Sequence, residues 1–105
     1  MSFLAGFYQQ PPSIQEVIRR LAEESAPQKI KLFGSRARGD HRPHSDFDIA
    51  VEGRACTDSQ WTQLILSLES EPITLRLFDV VEVEKLGVEY LEQLDKEGVL
   101  LYESD

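Results

Sequence analysis

The chain has 105 residues, a net charge of −8, 41% apolar and 29% charged residues, which fits one globular domain with one modest core and excludes a disordered chain. No apolar run is long enough to cross a bilayer, and the apolar start (Phe3, Leu4, Phe7, Tyr8) lacks the basic flank and cleavage pattern of a signal peptide. The acidity argues against direct nucleic-acid binding, which needs Lys and Arg to displace phosphate counterions. The lone Cys56 cannot form an intrachain disulfide, and a cytoplasmic location is expected.

Residues 1–12 read as an N-terminal arm set off by Pro11-Pro12, and 13–105 as a single domain. Ser13 and Glu16 form a possible capping box. Ile14, Val17, Ile18, Leu21 and Ala22 recur at helical spacing, which predicts a helix over about 13–24. Lys29 to Phe33 alternates as a strand and runs directly into Gly34-Ser35, and Gly39 to Ser45 is turn-rich. Asp46 to Glu52 alternates again, with Phe47, Ile49 and Val51 on one face and Asp46, Asp48 and Ala50 on the other.

Thr57 and Gln60 make a second capping box before a helical stripe of Trp61, Leu64, Ile65 and Leu68, read as core. Ile73 to Val83 is the longest predicted strand, with Asp79 on the face of Leu75, Leu77 and Val81. Val88 to Glu97 reads as a helix capped by Gly98, and Val99 to Tyr102 as a last strand. The expected class is α+β, a mixed α/β arrangement of one small sheet with helices packed against it.

The chemistry concentrates between Gly34 and Asp48. Two carboxylates at i and i+2 of a strand point the same way, about 6.6 Å apart along the backbone. Such a pair repels unless a cation lies between its members, and hard oxygen ligands select Mg²⁺ or Mn²⁺. Asp79 can join Asp46 and Asp48 if its strand lies beside theirs, and three carboxylates can hold two metals roughly 3.5–4 Å apart. Glu82 is a rival to Asp79 by sequence, on the opposite strand face.

At the other end of the segment, a strand entering Gly-Ser and a helical turn presents backbone N–H groups to an anion. Gly34 lets a phosphate approach the backbone, the Ser35 hydroxyl can donate to it, and Arg36 and Arg38 can neutralise the remaining charge. Together these residues suit a metal-bound nucleoside triphosphate. For either arginine, pairing with surface acids is the competing reading. His41 and His44 have zinc-compatible spacing but no further thiol or imidazole in the loop, so both read as ordinary loop residues, Asp40 as a solvated acid and Cys56 as inert.

Gly-Ser, ten intervening residues and Asp-x-Asp resembles the signature of the polymerase-β-type nucleotidyltransferase superfamily, and GSRARG followed by SDFDIAV resembles its minimal (MNT) branch. The resemblance runs from about Lys29 to Glu103 and includes Phe78-Asp79-Val80-Val81-Glu82 and the Glu97 to Tyr102 tail. It implies a polymerase-β-like core. It also implies Asp46, Asp48 and Asp79 as catalytic metal ligands, Gly34 and Ser35 as phosphate holders, Mg²⁺ as cofactor, with two ions, and ATP as substrate.

Members of this branch pair with a helical HEPN toxin, so the resemblance implies an antitoxin that transfers AMP to a toxin tyrosine. The chain ends at Asp105 without an acceptor-binding domain, so the acceptor is expected from another subunit or another protein, and Phe3, Phe7 and Tyr8 contact that partner, pack on their own domain or stay disordered. Two other readings stay open: adenylylation of a small molecule, as in the antibiotic-modifying relatives, and a nucleotide-binding module that silences its partner by contact alone.

Overall fold

The computed structural model describes residues 2–71 and 77–105. In chain order the elements are β1 (Ser2–Phe3), α1 (Ala5–Tyr8), α2 (Pro12–Ser25), β2 (Lys29–Phe33), α3 (Ser35–Arg38), β3 (Phe47–Glu52), α4 (Asp58–Ser70), β4 (Phe78–Glu82), a 3₁₀ turn (Val83–Lys85), α5 (Val88–Glu97) and β5 (Val99–Glu103). Among the described residues the strands form one sheet in the order β1-β5-β2-β3-β4. The β3–β4 pair is parallel and the other pairs are antiparallel. The expected mixed α+β architecture is therefore found.

One apolar cluster holds the fold. Ile14, Val17, Ile18, Leu21 and Ala22 of α2 and Trp61, Leu64 and Leu68 of α4 join Ile30 and Leu32 of β2, Phe47, Ile49 and Val51 of β3, and Leu101 and Tyr102 of β5. Alternation along a strand sends neighbours to opposite faces. With Phe47 and Ile49 in this core, Asp48 must face the other side of the sheet.

The helix ends separate local from longer-range signals. The Thr57–Gln60 capping box forms in full, with Gln60 N donating to Thr57 Oγ1 at 3.1 Å and Thr57 N to Gln60 Oε1 at 3.0 Å. The Ser13–Glu16 box does not form. Pro11 is the N-cap and Pro12 opens α2, because a fixed φ suits the first helical turn and no donor is lost there. Glu16 instead accepts from Arg19 Nη1 at 2.7 Å. Gly98 follows α5 as expected, but with an extended backbone (φ −64°) rather than the left-handed one. A Cβ there would strike the Leu94 carbonyl.

Two expectations shift. The strand predicted over 73–83 is confined to Phe78–Glu82. Residues 73–76 lie outside the described residues, Leu77 precedes the strand, and Val83 enters the 3₁₀ turn. The N-terminal stretch, read as an arm, packs on its own sheet: β1 pairs with β5, Phe7 is 1% exposed, and Phe3 stacks 4.4 Å from Phe7 and 5.2 Å from Tyr102. Of the three aromatics offered to a partner, Tyr8 alone stays largely exposed. Burying Phe3 and Phe7 against β5 removes more apolar surface from water than a free arm could.

Candidate active site

Strand β2 ends at Phe33, and the chain turns through Gly34 with φ 73° and ψ −156°. Only glycine occupies that region without strain. The close approach is equally demanding, since a Cβ on Gly34 would run into the Asp48 carboxylate. The turn leads into α3, whose internal bonds begin with Ala37 N and Arg38 N donating to the Gly34 carbonyl, each at 3.1 Å. The N–H groups of Ser35 and Arg36 precede those bonds, at the end of a helix where donors lack intrahelical acceptors.

The acids arrive from two strands. In the antiparallel β2–β3 pair, Phe33 stands opposite Asp48. In the parallel β3–β4 pair, Asp48 stands opposite Asp79. Lateral neighbours share a face, so Asp48 and Asp79 lie side by side. Asp46 lies one residue before β3, whose first N–H, on Phe47, donates to the Leu77 carbonyl at 3.0 Å. Asp46 and Asp79 are exposed and Asp48 is half-buried. Asp79 thus escapes the apolar surroundings expected of it, because Phe78 and Val80 are the β4 residues packed against the core.

Burial pushes the Asp48 carboxyl above the usual carboxylate range, and the charges of Asp79 and Asp46 push it further, against a smaller opposing pull from Arg38. The three aspartates share one electrostatic neighbourhood. Among the described residues, no three acidic, histidine or cysteine side chains stand close enough to enclose a metal ion as they are. The donor set is nevertheless all hard oxygen and its charges are mutually penalised, which is what a divalent cation such as Mg²⁺ relieves.

The two arginines take different places. Arg36 donates to the Ser45 carbonyl through Nε at 3.2 Å and Nη2 at 3.1 Å, and to the Pro43 carbonyl through Nη2 at 3.1 Å. Its guanidinium lies 4.2 Å from the Phe47 ring centroid. Arg36 therefore ties the loop between α3 and β3 onto the first residue of β3. Arg38 donates to Asp40 Oδ2 at 3.0 Å and Glu97 Oε2 at 3.1 Å while remaining within electrostatic reach of Asp48. His41 and His44 are exposed loop residues.

Glu82, the rival acid, is committed elsewhere: it accepts from Arg54 Nε and pairs with Lys85 Nζ at 2.7 Å. Sequence reasoning missed Arg54, which also donates to the Cys56 carbonyl at 2.8 Å and to Asp58. The one signal available for it was the i,i+4 spacing to Asp58.

The same architecture recurs in solved structures. A chain of a toxin–antitoxin complex crystallised with AMP-PNP superposes with a TM-score of 0.69 at 24% identity, covering 90% of this chain and 76% of that one. A minimal nucleotidyltransferase superposes at 0.61 with 28% identity, covering 81% of this chain and 85% of its own. A chain from the complex of tri-AMPylated Shewanella oneidensis HEPN toxin with MNT antitoxin superposes at 0.62 with 23% identity, covering 88% and 71%. No curated protein matches the chain. The sequence profile described as "Polymerase beta, Nucleotidyltransferase" matches residues 15–105, so the chain belongs to the polymerase-β nucleotidyltransferase family.

Proposed function

We propose that this protein is a Mg²⁺-dependent nucleotidyltransferase that moves AMP from ATP to a tyrosine hydroxyl of a helical HEPN-type toxin, and so acts as the antitoxin of the pair. The observation that carries the reading is the closeness of Gly34 to the Asp48 carboxylate. It joins an anion cradle to a group of acids, and a metal-bound triphosphate needs both. Structures of similar fold, one with AMP-PNP and one with a tri-AMPylated toxin, support the choice of nucleotide and acceptor.

In this reading Asp46, Asp48 and Asp79 would hold Mg²⁺, which when bound supplies positive charge to the phosphates. Gly34 admits a phosphate to the backbone, the Ser35 hydroxyl donates to it, and Arg38 adds charge from the side. Asp79, exposed on the edge strand, takes the proton from the attacking hydroxyl. That oxygen forms a bond to the α-phosphorus as the bond to the departing pyrophosphate breaks. Arg36 acts through the loop rather than on phosphate.

The test incubates the purified chain with ATP labelled at the α-phosphate and Mg²⁺, with and without a HEPN-type partner, followed by peptide mass spectrometry. AMP on a toxin tyrosine is the expected result. A labelled small molecule would favour an antibiotic-type enzyme, and an unmodified but silenced toxin a binding module. Ligand at a hundredfold excess over Kd stabilises the native state by about 2.7 kcal/mol, so an unchanged melting temperature in millimolar Mg-ATP would remove the nucleotide assignment itself.

A further inference from the structure

Strand β4 brings Asp79 to the site from the edge of the sheet. Among the described strands its one neighbour is β3. The pairing that aligns Asp79 with Asp48 also works against the strand, because like charges directly opposite one another on adjacent strands repel. Something must hold β4 in place while these acids lack a cation between them.

Three residues beyond Asp79, Glu82 pairs with Val51 in the same register. Its side chain is 10% exposed and that of Arg54, its partner, 13%. Each nitrogen of the Arg54 guanidinium donates, to Glu82, to the Cys56 carbonyl and to Asp58, and the group lies 5.3 Å from the Trp61 ring centroid. Next to it, Gly53 N donates to Glu84 Oε2 at 2.9 Å. The loop leaving β3 is thereby fastened to the far end of β4 and to the start of α4. Arg54 thus reaches Asp79 through Glu82 and the strand, at the opposite end of β4 from the acids.

We propose that Arg54 is a positioning residue for Asp79: by gripping Glu82 it holds the edge strand β4 in register on β3 against the repulsion between Asp48 and Asp79, and so presets the acidic group for a divalent cation. The cation is the one the functional reading assigns. The mechanical half of the proposal stands on the strand pairing alone.

The experiment uses the full chain as Arg54→Gln, Arg54→Lys, Asp79→Asn and the Arg54→Gln/Asp79→Asn double variant. In metal-free melts, Arg54→Gln lowers the melting temperature. Asp79→Asn then adds less in that background than it does to the wild type, because an unbraced strand can shift to relieve the repulsion that the braced one must bear. Direct Mn²⁺ titration by electron paramagnetic resonance, without nucleotide, shows weaker binding in Arg54→Gln by about tenfold, the low end of what loss of an outer partner costs a metal site. Arg54→Lys falls between, keeping the charge without the fork.

Additive melting shifts together with an unchanged Mn²⁺ midpoint would overturn the proposal and leave Arg54 a plain stabiliser of the fold. If Arg54→Gln does not fold, Glu82→Gln carries the same comparison with Asp79→Asn. A wild type that binds Mn²⁺ but transfers nothing defeats the functional reading alone, while a wild type that binds no Mn²⁺ overturns the cation half of this proposal.

Discussion

Asp48 on β3 and Asp79 on β4 stand directly opposite one another in a parallel strand pair. That arrangement is costly for the metal-free protein and is paired with a raised Asp48 carboxyl, from burial first and then from the charges of Asp79 and Asp46. A raised value in the folded state means that the fold holds the Asp48 proton more tightly than the unfolded chain does. The resulting stabilisation is complete below the unfolded value and is lost as pH rises through the folded one.

Asp48→Asn should therefore stabilise the metal-free protein at neutral pH, with an advantage that fades as the solution is acidified through the raised folded value and is gone below the unfolded one. It should also abolish nucleotidyl transfer and the stabilising response to Mg²⁺. Urea denaturation at neutral and acid pH, with and without Mg²⁺, checks both halves. A variant less stable than the wild type at neutral pH would contradict the repulsion argument.

Gly34→Ala meets two obstacles at once, a backbone region open to glycine alone and the Asp48 carboxylate. The backbone strain costs about 1–3 kcal/mol. The expected outcome is a folded, destabilised protein whose melting temperature no longer responds to Mg-ATP. A normal response would show that the phosphates lie elsewhere.

Arg36→Lys separates a loop tie from a phosphate ligand. Lysine keeps the charge but cannot fork between the Ser45 and Pro43 carbonyls while lying over Phe47. Faster amide exchange through residues 40–46 and a loss of about 1–2 kcal/mol are expected. If lysine instead leaves the loop's exchange unchanged, Arg36 does not hold it.

Phe7→Ala should cost about 3–5 kcal/mol, the usual loss for a buried phenylalanine, because Phe7 belongs to the main apolar cluster. Tyr8→Ala, at a residue 66% exposed, should stay within about 0.5 kcal/mol. Chemical denaturation of the two variants decides whether the first residues act as core. A near-neutral Phe7→Ala would return them to the status of an arm.

The sequence by itself determined whatever depends on neighbours within a turn or along one strand. The Thr57–Gln60 box, the bounds of α5 and the apolar stripe of α2 follow from spacing because the interacting groups lie three or four residues apart. The alternation of Phe47, Asp48 and Ile49 put Asp48 on the face away from the core for the same reason, since successive strand side chains point to opposite faces.

Only the tertiary structure decided which distant groups meet. Alternation put Glu82 on the opposite strand face and the family resemblance favoured Asp79, but only the β3–β4 register shows where each goes: Asp79 falls opposite Asp48, while Glu82 falls beside Val51 and is taken by Arg54. Arg36 and Arg38 look alike in sequence, yet one is bound to loop carbonyls and the other to Asp40 and Glu97. Residues 2–8 carry no local signal that distinguishes a free arm from a packed one, and the strand with which Ser2 and Phe3 pair, β5, lies at the other end of the chain. A charged or aromatic side chain can satisfy itself with many partners, so its choice depends on which of them the fold brings within reach.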